Sequence, residues 1–165
     1  MKHEEAIMRE LLLTLDDDFS PIWDALGLVD DPDSFDTWAD DFETLVRHVV
    51  TEGLVYLGHL GDHEIVPYTP IEPALTAAID DVLCAPTWDD MVDLQHWMGI
   101  TPAGRAHLAT LPDTGWEAPW WYPEEHPDYW ATRTPRLDVY PLRSHRRVPP
   151  MPRFWSPPAT PAQEH

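Results

Sequence analysis

The chemically versatile side chains of this sequence are one cysteine, nine histidines and thirty carboxylates. Cys84 has no basic neighbour that would favour a thiolate, so we expect a small buried apolar residue rather than a nucleophile. The seven glycines form neither a phosphate-binding loop nor a dinucleotide-binding fingerprint. The serines lie in expected cap, turn or tail positions, not in a nucleophile elbow: Ser20, Ser34, Ser144 and Ser156. The sequence therefore predicts a protein that is not an enzyme.

Two groups of histidine and acidic residues have spacings that a metal site could use. His59 and His63 flank an expected hairpin tip, and Asp89, Asp93 and His96 follow one another at helical spacing. Neither group reproduces a recognised ligand motif, and polar side chains at a hairpin tip are usually solvated. We therefore expect no metal ion and no other cofactor.

Negative charge is concentrated in residues 1–112, where twenty-three Asp and Glu face four Lys and Arg, giving 4 − 23 = −19 of the chain's −20. Affinity for nucleic acid comes largely from Lys and Arg that displace counterions, so direct nucleic-acid binding is disfavoured. A basic protein is the complementary partner. The simpler alternative is a solvated acidic surface that only keeps the protein soluble. The expected contact charges are Asp16, Asp17, Asp18, Asp33, Asp36, Asp40, Asp41 and Glu43.

The elements that would position these charges are helices followed by a β-hairpin, an α+β arrangement. Apolar periodicity predicts three helices, at residues 3–15, 21–26 and 37–52. Ser20 is the expected cap of the second helix and Gly27 the residue just beyond its end.

The spacing of the apolar residues is no longer helical after residue 53, and it predicts two strands, 54–60 and 63–68. They flank Gly61 and Asp62, a pair typical of a two-residue type II′ turn. Helices are expected after Pro70 and after Thr87, followed by a strand over 95–100 and a helix over 102–111 that Thr101 caps.

Two segments resemble parts of a winged helix-turn-helix domain. Residues 51–58, TEGLVYLG, are similar to the point where a recognition helix ends and the first wing strand begins. Residues 100–106, ITPAGRA, resemble the strand-to-helix step after the wing. The layout is also similar to that of small uncharacterised actinobacterial proteins with an insertion between the hairpin and the final helix. The resemblance covers about two thirds of the chain and implies a winged-helix-like domain.

The resemblance makes residues 37–52 the recognition helix, whose solvent side departs from the DNA-binding pattern. Base reading needs Arg, Lys, Asn or Gln, and phosphate contacts need cations nearby. Here the solvent side carries Asp40, Asp41, Glu43, Thr44, Arg47 and His48. A transcriptional regulator that binds DNA through Arg47, His48 and Thr51 is the alternative function.

Composition divides the chain into an acidic winged-helix-like domain (1–112), an aromatic and proline-rich arm (113–142) and a flexible tail (143–165). Twelve of the nineteen prolines follow residue 111, and proline interrupts helices. We expect the arm to wrap the domain, or to offer Trp120 and Trp121 as apolar anchors for a partner.

These observations predict an acidic protein-binding module that masks or regulates a basic partner. Immunity proteins, anti-repressors and DNA mimics act in this way. The sequence has no apolar run long enough to span a membrane and no recognisable secretory signal. A single cysteine fits a reducing compartment, so we expect a cytoplasmic protein.

Overall fold

The computed structural model describes residues 3–29, 38–85 and 88–118, and these form an α+β fold, which confirms the predicted class. Six helices and a 3₁₀ turn (Ile22–Ala25) surround a four-stranded antiparallel sheet in this part of the chain. The helices are α1 (Glu4–Asp17), α2 (Leu26–Val29), α3 (Trp38–Thr51), α4 (Ile71–Cys84), α5 (Trp88–Val92) and α6 (Pro102–Leu108). The strands are β1 (Ser20–Pro21), β2 (Val55–Leu60), β3 (Ile65–Pro67) and β4 (Trp97–Ile100).

The sheet has the strand order β1-β4-β2-β3, and each neighbouring pair is antiparallel. In the two central strands Met98 of β4 lies opposite Leu57 of β2. Each edge strand contains a proline, Pro21 in β1 and Pro67 in β3. Proline has no N–H to offer a further strand, so both edges resist strand addition.

The core lies between the sheet and the helices, and α3 shows why these residues form it. Its apolar residues recur at i, i+3, i+4, i+7 and i+8, which places them on one helix face. The buried members are Phe42, Leu45, Val46, Val49 and Val50. The helix ends at Thr51, and Gly53 two residues later has a φ of 70°, the left-handed conformation that glycine adopts without strain. The predicted third helix is therefore confirmed.

The predicted second helix is wrong in its details. Ser20 and Pro21 form β1 instead of a helix start, because they pair with Met98 and Trp97 of β4. The following turn is 3₁₀, and Gly27 lies inside α2 rather than beyond a helix end. Pairing with β4, about eighty residues later in the sequence, therefore makes Ser20 and Pro21 a strand.

The predicted type II′ turn is also wrong. Leu60 pairs with Ile65, so the loop contains four residues, 61–64, instead of two. A type II′ turn needs a positive φ at its first central residue, whereas the positive-φ glycines of the described ranges are Gly53 and Gly115. The longer loop brings Ile65 against Gly58, where its side chain is buried.

The predicted cap of the last helix is confirmed. The Thr101 hydroxyl oxygen accepts a hydrogen bond from the Gly104 N–H at 3.0 Å and lies 2.6 Å from the Gly53 carbonyl oxygen, to which it donates. This one side chain therefore joins the start of α6 to the end of α3. A Cβ at Gly104 would collide with the carbonyl oxygen of Leu54 and lie 2.8 Å from Ile100 Cγ1.

Gly104→Ala is expected to lower the free energy of unfolding by about 2 kcal/mol or more, because α6 must move away from Leu54. Helix propensity alone predicts the opposite sign, a gain of about 1 kcal/mol. Urea denaturation measures the difference. Ala103→Gly, at an exposed position of the same helix, is the control and should cost no more than about 1 kcal/mol. A stabilised Gly104→Ala variant would contradict the close packing.

The described chain ends on the surface of this domain. Trp116 and Ala118 pack against the core, and the Trp116 ring stacks on His3 at a centroid distance of 6.0 Å. The rest of the predicted arm and the predicted tail lie outside the described residues. Within the described ranges, no helix combines the length and apolar content needed to cross a bilayer.

Candidate acidic interaction surface

Three consecutive exposed carboxylates end α1: Asp16 and Asp17 lie in its last turn and Asp18 is the C-cap residue, and the three are here called the α1 acidic end. The last turn of α1 contains no basic residue. The C-terminus of a helix bears the negative end of the macrodipole, so each carboxylate there opposes helix stability by about 0.3–1 kcal/mol. The α1 acidic end therefore concentrates negative charge at the end of a helix and lowers the stability of that helix.

Local contacts hold two of these carboxylates in place. Asp16 accepts a hydrogen bond from Arg105 Nε of α6 at 2.8 Å, and Asp18 accepts one from the Phe19 N–H, also at 2.8 Å. Asp16 and Asp17 line a shallow recess together with Thr14 and Leu13. Leu13 is 44% exposed, so the recess combines negative charge with an apolar side chain.

The second group of predicted contact charges lies in the first half of α3. Asp40 is exposed, while Asp41 and Glu43 are half-buried. Asp40 and Asp41 lie in the first turn, where the positive end of the macrodipole stabilises carboxylates. Both α1 and α3 contact α2. Asp33 and Asp36, the other predicted members of this stripe, lie outside the described residues, as do Trp120 and Trp121.

Every arginine of the described ranges is bound by a carboxylate of the same chain. Arg47 Nε donates to Glu43 at 2.9 Å, and Arg105 donates to Asp16 as described above. Arg9 lies 3.2 Å from Glu10 and 3.6 Å from Asp113. The three cations of this part of the chain are thus already neutralised locally.

Arg47 is also held by a second helix. Its Nη2 atom donates to Thr76 Oγ1 of α4 at 3.3 Å. The contact joins the second half of α3 to α4. The one arginine of α3 therefore contacts a carboxylate of its own helix and a hydroxyl of a neighbouring helix.

The charge imbalance of the described ranges is large. They contain three arginines and no lysine against twenty-one Asp and Glu, so their formal charge is 3 − 21 = −18. Four of these carboxylates pair with arginine, namely Asp16, Glu10, Glu43 and Asp113. The surface of this domain is therefore strongly negative after its internal ion pairs are formed.

A polar chain inside the fold connects Tyr68, His96 and Asp81. The Tyr68 hydroxyl lies 3.0 Å from His96 Nδ1, and His96 Nε2 lies 2.8 Å from Asp81 Oδ2. Tyr68 and His96 are each 3% exposed, whereas the Asp81 side chain is 34% exposed. These hydrogen bonds thus connect the half-buried Asp81 carboxylate on α4, through His96, to the phenol of Tyr68, the residue that follows β3.

Burial raises the pKa of the Tyr68 phenol above its ordinary value, and the negative charge of Asp81 raises it further. The folded state therefore holds this proton more tightly than the unfolded state does. The resulting stabilisation is complete below the unfolded pKa of about 10 and is lost as the pH rises beyond it.

Tyr68→Phe is expected to cost about 1–2 kcal/mol of unfolding free energy at neutral pH, because His96 Nδ1 loses its hydrogen-bond partner. The variant should also lose stability less steeply than the wild type above about pH 10, since it has no phenol to ionise on unfolding. Urea denaturation at neutral and alkaline pH measures both effects. If the free energy of unfolding fell equally steeply with pH above about pH 10 in the wild type and in Tyr68→Phe, the raised pKa of Tyr68 would be contradicted.

The two groups of histidine and acidic residues that the sequence offered as candidate metal ligands do not form a metal site among the described residues. His96 binds Tyr68 and Asp81 instead of Asp89 and Asp93, because α5 ends at Val92 and the chain turns before β4. His59 stacks on the Tyr68 ring at 6.5 Å. Across the described residues, no group of three or more potential metal ligands converges. Cys84 is 5% exposed, which confirms its expected burial.

Sequence reasoning missed the ion pairs and the polar chain. The spacing of Glu43 and Arg47, four residues apart on a helix, is a signal that could have revealed their pairing. Asp16 and Arg105 are separated by 89 residues, and no local pattern connects them. The Tyr68–His96–Asp81 chain likewise joins three elements that only the fold brings together.

No protein-family model, curated protein or solved structure matches this chain. The geometry of the described residues is therefore the basis for assigning a function.

Proposed function

We propose that this protein binds a basic partner protein through its acidic surface and thereby masks or regulates that partner. The observation that carries the proposal is the pairing of all three arginines of the described ranges with carboxylates of the same chain. The described ranges thus carry a large excess of negative charge, and their three arginines are paired with carboxylates of the same chain. A site built to bind phosphate would attract these fixed carboxylates. Masking of this kind requires neither catalysis nor a cofactor.

The α1 acidic end is the proposed centre of contact. Its carboxylates lie on the last turn and the C-cap of a fourteen-residue helix, so their backbone has little conformational freedom to lose on binding. Leu13 beside them adds apolar area, which a charge-only surface lacks. Asp40 and Asp41 of α3 extend the negative surface.

We also infer a winged-helix-like core in which α3 takes the position of the recognition helix. Its support is the chain order: α1, the short strand β1, α2, α3, then β2 beginning two residues after Gly53. β4 lies between β1 and β2, so β3, α4 and α5 would be an insertion within the wing. Arg47 contacts Glu43 and α4, which disfavours the alternative of a DNA-binding regulator.

Binding to nucleic acid and binding to a basic protein are separated by three assays at low salt. The purified protein should not shift a duplex DNA fragment and should elute from heparin without retention, because phosphates and sulfates repel the domain. It should be retained on an immobilised arginine-rich protein such as protamine and be released by salt. A DNA shift at micromolar protein concentration would refute the proposal.

A further inference from the structure

The Tyr68–His96–Asp81 chain has a defined direction that follows from the chemistry of its members. An ionised carboxylate only accepts hydrogen bonds, so His96 Nε2 must carry a proton and donate to Asp81. The raised pKa of Tyr68 keeps its phenol protonated. The Tyr68 hydroxyl therefore donates to His96 Nδ1, which accepts as the bare nitrogen of a neutral imidazole.

Protonation of His96 is incompatible with this direction. Both ring nitrogens of an imidazolium are donors, so Nδ1 can no longer accept from Tyr68. The Tyr68 hydroxyl then has to accept, and its own proton needs a new acceptor inside the core. Asp81, by contrast, gains an ion pair with the imidazolium. The Tyr68–His96 bond is therefore the one whose direction protonation reverses, and the reversal leaves the buried Tyr68 proton without its acceptor.

The Tyr68–His96 bond lies next to a short edge strand of the sheet. The Tyr68 N–H donates to the Leu57 carbonyl at 3.0 Å and thus continues the pairing of edge strand β3 with β2. β3 contains three residues and has β2 as its one neighbour in the sheet. A change at the Tyr68 side chain should therefore be felt by the Tyr68 amide.

We propose that Tyr68, His96 and Asp81 form a proton-sensitive latch that holds the end of β3 against the sheet while His96 is neutral and releases it when His96 gains a proton. The latch is independent of the acidic-surface proposal. Among the described residues, the titratable groups that contact Tyr68 or His96 from neighbouring elements are Asp81 on α4 and His59, stacked on Tyr68, on β2. The His59→Gln variant therefore serves to separate the effects of the two histidines.

The latch is tested by NMR on the full-length ¹⁵N-labelled protein. Long-range ¹H–¹⁵N spectra at about pH 8 should show the Nε2–H tautomer of His96. The protection factor of the Tyr68 amide against hydrogen exchange should then fall about tenfold between about pH 8 and pH 5, an effect equivalent to about 1.4 kcal/mol. His59→Gln should keep this loss of protection.

His96→Gln should abolish the loss, because a glutamine amide donates and accepts without titrating. An Nδ1–H tautomer at about pH 8 would overturn the proposal, as would an equal acid-induced loss in His96→Gln. If His96→Gln fails to fold, the tautomer and the wild-type exchange decide: unchanged wild-type protection, or loss of the effect in His59→Gln, would overturn it.

Discussion

Replacing Asp17 and Asp18 together by lysine is expected to weaken binding of the basic partner by at least about 100-fold at low salt. The substitution changes the local charge by four units at the centre of the proposed contact surface and leaves Asp16 with Arg105. Attraction becomes repulsion, and like charges brought together at an interface cost several kcal/mol. Titration calorimetry at low and high salt measures the change, which should shrink as salt screens the charges.

This double variant is expected to weaken binding without destabilising the fold. Lysine at the C-terminus of α1 interacts favourably with the macrodipole, which offsets the loss of the hydrogen bond that Asp18 accepts from the Phe19 N–H. Stability should therefore stay within about 1 kcal/mol of the wild type. Asp62→Lys with Glu64→Lys, an equal charge change in the exposed β2–β3 loop, is the matched control. Equal weakening by both double variants would show that only net charge matters.

Phe42→Ala is expected to lower the free energy of unfolding by about 3–5 kcal/mol. Phe42 is 0% exposed and lies on α3 in the core between the helices and the sheet. Truncation removes most of a large apolar side chain and leaves a cavity whose walls belong to regular elements that cannot easily collapse. Chemical denaturation reports the loss as a lower midpoint with an unchanged slope.

Thr44→Ala is the control on the same helix. Thr44 is exposed, so the substitution should change stability by no more than about 0.5 kcal/mol. A loss below about 1 kcal/mol for Phe42→Ala would mean that α3 is not packed as described.

Local signals made α3 and the start of α6 predictable from the sequence. The burial of Phe42, Leu45 and Val49 follows from helical spacing alone. The Thr101 cap depends on a threonine followed by proline, a pattern complete within four residues. In both cases the residues that decide the structure are neighbours along the chain.

Elements decided by distant partners were not predictable in the same way. Ser20 and Pro21 carry a plausible helix-start pattern, but pairing with β4 makes them a strand. Gly61 and Asp62 suit a two-residue turn, but the register that buries Ile65 requires a longer loop. Tertiary pairing outweighs local preference when the two disagree.

The same division applies to the candidate surface. The excess of carboxylates is visible in the sequence, and so is the run from Asp16 to Asp18. The fold decides which arginine pairs with which carboxylate. Arg105 binds Asp16 although the two residues are 89 positions apart in the sequence. The structure adds that each arginine of the described ranges pairs with a carboxylate of the same chain.

The most direct test of the central claim is affinity capture from a native, nuclease-treated lysate at low and high salt, with mass spectrometry of the eluted proteins. The tagged wild-type protein and the Asp62→Lys/Glu64→Lys control should both retain one stoichiometric basic protein that salt releases, and the Asp17→Lys/Asp18→Lys variant should not. Recovery of DNA alone from an untreated lysate, with no basic protein from the treated one, would contradict the account and restore the DNA-binding regulator.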